Sequence, residues 1–114
     1  MDYNLSQIGA AYIDAVTELG RPPARLEDLR PFLDKKGNAD ELLVSPGDGK
    51  PFVIVWNVDP RTLGPKGDKL PVLVYEQEGR DGKRAALMMP SHVQRLDATQ
   101  FLQAYFPGGH QPQP

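Results

Sequence analysis

The sequence has no cysteine, only two histidines and one tryptophan. Without thiols there is no disulfide, no thiolate metal site and no cysteine nucleophile, though many exported proteins also lack cysteine, so compartment stays open. It has no lysine- or arginine-rich run either. Thirteen basic residues stand against fifteen acidic ones, for a net charge of −2, and a phosphate-tracking surface for nucleic acid is not expected. No uninterrupted apolar run exceeds five residues, as at 52–56, whereas a membrane span needs about 20. The N-terminus lacks the charged, apolar, small-residue order of a signal peptide. Also missing are the G-x-S-x-G, H-E-x-x-H and glycine-rich phosphate-loop patterns.

What is present is a chain of 114 residues, enough for one domain with a stable core, punctuated by twelve prolines and eleven glycines. Leu5, Ile8, Tyr12, Val16 and Leu19 step by three or four residues with Ala11 and Ala15 beside them, which predicts one amphipathic helix over 5–19. Gly20 is placed to close it in the left-handed conformation, and Pro22 and Pro23 prevent its continuation. At its start, Asn4 and Gln7 have the spacing of a capping pair, or are ordinary polar positions of a longer helix. Leu26, Leu29, Phe32 and Leu33 predict a second, short helix that Pro31 would break or restart.

Strand character follows. Residues 52–56 (FVIVW), 71–76 (PVLVYE) and 84–89 (RAALMM) are rich in β-branched and apolar side chains, with the turn cluster SPGDGKP before the first. Asp81-Gly82 favours a tight hairpin between the second and third. A short fourth strand is expected around Val93 and Leu96, then a helix over 97–106 capped by Asp97 with Gln100 three residues on. The expectation is an α+β fold over residues 1–106: a helix laid on a three- or four-stranded antiparallel meander, closed by a short C-terminal helix. Residues 107–114 form a Pro/Gly/Gln-rich tail that cannot build a core.

NLSQIGAAYIDAVTELGRPPARLEDLRPFL resembles the segment that follows the membrane helix in type IV pilin-like proteins and type II secretion pseudopilins. SPGDGKPFVIVW is similar to that family's turn into its first strand, with Gly49, Lys50, Pro51 and Phe52 in the recurring Gly-x-Pro-aromatic places. KRAALMMPSHVQRLDATQF resembles its closing stretch. The likeness runs in order over residues 4–106. It implies a non-catalytic, extracytoplasmic domain, periplasmic or at the cell surface, that contacts other pilin-like or secretion proteins. It also implies a precursor anchored ahead of the first helix, by a membrane helix or by a lipid as in a lipoprotein. Freed of that anchor the domain is expected to be monomeric, with partner contact at the sheet edge or at loop 57–70. The family's Asp-Gly before His92 is replaced by Pro90-Ser91. Its late calcium loop has no matching run of Asp and Asn after Leu87, so no metal or other cofactor is carried over.

The competing reading is a small enzyme or ligand-binding module built from loop 57–70, with Asp59 and Asp68, and His92. Against it, neither histidine has a second ligand at i+3 or i+4, and Ser91 and His92, being adjacent, point to opposite faces of an extended chain. Asp48, Asp59, Asp68 and Asp81 all fall in turns, where the side chain bonds nearby backbone. No catalytic, cofactor-binding or metal-ligating residue is therefore assigned. Trp56, Tyr75 and Phe52 read as core or interface aromatics, and of Met88 and Met89 one must face away from the core. A free-standing cytoplasmic domain with the same layout is the third possibility.

Overall fold

The computed structural model describes residues 3–59, 64, 67, 69–88, 92–107 and 110. Helix α1 runs over Tyr3–Leu19 and buries Leu5, Ile8, Gly9, Ala11, Tyr12, Ala15 and Val16, the stripe that the helical spacing predicts. Small residues in that stripe let the helix come close to the sheet. A Cβ built on Gly9 would stand 2.5 Å from Leu87 Cδ2, so any larger residue requires the Leu87 side chain to shift. Gly20 closes the helix at φ +72° and donates its N–H to Val16 O at 3.1 Å.

Asn4 does not cap α1. It lies inside the helix and donates its side-chain N–H groups to Val44 O (3.0 Å) and Glu41 O (3.3 Å), tying α1 to the chain around helix α3. Helix α2, Leu26–Asp34, runs through Pro31 without the expected break. Pro31 sits on the exposed side, while Leu29, Phe32 and Leu33 are buried against α1. Three buried side chains at about 1.5–3 kcal/mol each outweigh a proline penalty of about 3 kcal/mol. The short helix α3, Ala39–Leu42, starts on Asn38, whose side chain accepts from Glu41 N–H at 3.3 Å.

Strands β1 (Val53–Ile54), β2 (Val72–Tyr75), β3 (Lys83–Met88) and β4 (His92–Asp97) form one antiparallel sheet in that order, a meander. The fold is α+β. β1 is shorter than the apolar run 52–56, because the Val55 carbonyl is taken by the Tyr12 hydroxyl and Asn57 turns the chain at φ +62°. β4 is longer than expected and pairs along the whole of β3, from Met88 opposite His92 to Lys83 opposite Asp97. Its alternation is faint because an edge strand keeps most of its side chains in solvent. Between β2 and β3, Asp81 and Gly82 take φ +56° and +75°, while Arg80 and Lys83 exchange backbone hydrogen bonds at 2.8 and 3.0 Å.

The sheet is covered on both faces, one more than the helix-on-sheet expectation required. Opposite α1 lies α4, Ala98–Gln103, started by a full capping box between Asp97 and Gln100. The helix stops at Gln103 rather than 106, and Tyr105 turns to accept the Val72 N–H at 2.9 Å. Phe101 meets Tyr75 edge-on at 5.1 Å and Phe106 at 5.2 Å, under the Arg84 guanidinium at 4.2 Å. His110, from the tail, lies on this cluster and shares a 2.6 Å hydrogen bond with the Tyr75 hydroxyl.

Candidate functional site

Two regions concern the sequence-based candidates: the free edge of the sheet, and the cleft beside it where loop 57–70 ends.

The edge belongs to β4. Glu76 N–H donates to Ala85 O at 3.0 Å, so the backbone polar groups of Ala85 are turned toward β2. Ala85 stands opposite Arg95, and an antiparallel pair alternates, so the N–H and C=O of Arg95 point away from the sheet. Val93 and Asp97 share that phase. Asp97 N–H is taken by Gln100 Oε1 at 2.9 Å, as its outward direction demands. Val93 and Arg95 have no backbone partner on this side among the described residues. The edge carries no proline and no register shift. Such an edge is a template for an added strand.

The cleft has a volume of about 410 Å³ and is lined by Lys69, Leu70, His92, Gln94, Gln103 and Tyr105 among others. His92 and the end of the 57–70 loop thus do meet. Asp59 does not join them: it lies near Tyr12, whose hydroxyl it affects, on the α1 side. Asp68 and Ser91, with Met89 and Pro90, lie outside the described residues. The cleft holds one imidazole, one ammonium, one phenol and amides, with no carboxylate among its described residues. Lys69 Nζ is already committed to Gln103 O. Among the described residues no three His, Asp or Glu side chains are grouped to hold a metal ion.

One turn aspartate, Asp48, is held by backbone donors. Asp48 accepts from the N–H groups of Lys50 (2.9 Å), Glu78 (3.0 Å) and Gly79 (2.9 Å), joining two turns 30 residues apart in sequence. Burial pushes its carboxyl up, but the Gly79, Glu78 and Lys50 N–H groups together outweigh that and hold it below the usual carboxylate range. Asp81 occupies the left-handed turn position already described. Phe52, Tyr75 and Met88 are buried and Trp56 half-buried, so these side chains serve the core.

Sequence reasoning missed two interior polar groups. The Tyr12 hydroxyl, on the buried stripe of α1, donates to Val55 O at 2.9 Å and accepts from Val58 N–H at 3.2 Å. Burial pushes it up to about 12, with the Val58 bond opposing and the Asp59 charge adding. Glu76, 3 % exposed, accepts from the Ser45 hydroxyl and from Ala85 N–H. It is the last residue of the strand expected over 71–76, and no periodicity there marks its side chain as buried.

No family model, curated protein or solved structure matches this chain. No helix among the described residues is long and apolar enough to cross a membrane.

Proposed function

We propose that this chain is the non-catalytic, extracytoplasmic domain of a pilin-like anchored protein, and that it acts by contacting other proteins. The observation that carries the reading is α1 packed lengthwise on an antiparallel meander, in the element order that the resemblance of residues 4–106 implies. The open β4 edge supports it by offering backbone donors and acceptors to an extended partner segment. Pilin-like or secretion components are the partners that the resemblance suggests, and an anchor ahead of α1 in the precursor is part of the same reading. Alkaline phosphatase, which is active only outside the cytoplasm, tests it when fused to the C-terminus of the full-length natural protein in its own host. Phosphatase activity is expected. An inactive fusion beside an active cytoplasmic reporter at the same position contradicts the proposal.

A second reading, a ligand-binding module, has one observation in its favour: the cleft that joins His92 to Lys69 and Leu70. It places Asp59 elsewhere, so the ligand would be held by amides and an imidazole.

A further inference from the structure

The strongest unassigned feature is a cavity of about 200 Å³ between the start of α1, the Ser45–Lys50 turn and the sheet. Ser45 and Glu76, 1 % and 3 % exposed, form its floor, and Leu5, Phe52 and Ala85 supply apolar wall. Arg80 and Arg95, both exposed, reach it from the hairpin and from β4.

The cavity brings a buried carboxylate and two guanidinium groups together without an ion pair between them among the described residues. Glu76 has two hydrogen-bond donors, Ser45 and Ala85, and no cation within ion-pairing distance among the described residues. Ser45 Oγ accepts from Gly47 N–H at 3.0 Å, which leaves its proton to the carboxylate. A carboxylate has about four acceptor sites, and two of these are filled. Arg80 and Arg95 have no ion pair or side-chain hydrogen bond among the described residues, unlike Arg21, Arg25 and Arg30. Both Glu76 oxygens are hydrogen-bonded, but by neutral donors alone, and a ligand cation that reaches the carboxylate would add the ion pair it lacks.

We propose that this cavity binds a small zwitterion, a free α-amino acid with a short side chain. Its ammonium sits on Glu76 and its carboxylate lies between Arg80 and Arg95. The charge pattern selects this class. A simple amine would satisfy Glu76 but stand beside two guanidinium groups, and a simple anion would satisfy the arginines but face Glu76. The cavity has room for several water molecules, which suffices for an amino acid as small as alanine or serine. This site is independent of the protein-binding reading and would add a small-molecule input to it.

The test uses the whole chain with L-alanine as the probe, followed by thermal unfolding and by the NMR amide signals of Gly47 and Ala85. Acetate alone and methylamine alone are the controls. L-alanine is expected to shift both amides saturably and to raise Tm by about 10 °C at a hundredfold excess over Kd, while neither control does so. Arg95→Ala, at an exposed position, is expected to weaken binding at least tenfold while leaving the fold intact. Glu76→Gln should abolish binding, and if that variant fails to fold, Arg95→Ala and Arg80→Ala still decide the matter. No saturable shift with L-alanine, an equal shift with acetate, or unchanged affinity in Arg95→Ala would overturn the proposal.

Discussion

Replacing Tyr12 by Phe removes one oxygen atom and tests how α1 is fixed to the sheet. The ring stays in the core, where Tyr12 is fully buried, so the lost apolar contact is negligible. What goes is a two-way link: the hydroxyl donates to Val55 O and accepts from Val58 N–H. Val55 and Val58 are themselves buried, so their backbone groups lose a partner where water does not readily replace it. Each orphaned buried group costs about 1–3 kcal/mol, which puts the substitution at about 2–6 kcal/mol. With a urea slope of about 1.5 kcal/mol/M, the midpoint should fall by between about 1 and 4 M. Tyr3→Phe, at a position 60 % exposed, is the matched control and should move the midpoint by less than about 0.3 M. Equal shifts for the two variants would refute the reasoning, because they would mean that the Tyr12 hydroxyl contributes no more than a solvated one.

Ile8→Ala should cost about 2–5 kcal/mol through lost burial and a residual cavity, read by urea unfolding, whereas Ser6→Ala, on the exposed side of α1, should cost less than about 0.5 kcal/mol. Gly9→Val should destabilise by about 1–3 kcal/mol, since its side chain must displace Leu87, and a neutral outcome would show that helix and sheet are not in close contact there. His110 is pulled below its usual 6.5 by burial, so the neutral ring is the form that docks on Tyr75. Its contribution is therefore complete above about pH 6.5 and is lost as the pH falls from there through the folded-state value. The Tm difference between the native chain and His110→Ala should be present at pH 8 and shrink toward pH 5, and a difference independent of pH would contradict this.

The parts of this fold that were legible are those where one local rule acts alone. The stripe from Leu5 to Val16 has a strict helical period and a single buried face, so α1 could be read with its partner face. The Asp97–Gln100 box and the Asp81-Gly82 turn are short-range chemistry and appear as the sequence implies. Where tertiary contacts override local preference, the reading failed. Pro31 stays helical because Leu29, Phe32 and Leu33 are held in the core. Asn4, left open between a cap and a position inside the helix, lies inside it and bonds a chain segment about forty residues away. The second covering layer depends on Phe101, Phe106 and His110 converging on Tyr75, which no spacing encodes. The candidate cleft was half legible. Loop end and His92 meet through the Met88–His92 register, but nothing in the sequence reveals that Asp59 sits across the molecule near Tyr12.

The central claim is that the domain works by contacting other proteins at its free sheet edge. Site-specific photo-crosslinking in the natural host tests it most directly, with the crosslinker placed at Gln94 on exposed β4 and, as control, at Glu27 on the exposed side of α2. The account predicts discrete adducts of higher mass from Gln94, to membrane-associated proteins or to other copies of the chain, with none from Glu27. No adduct from β4, or the same adducts from both positions, would contradict it.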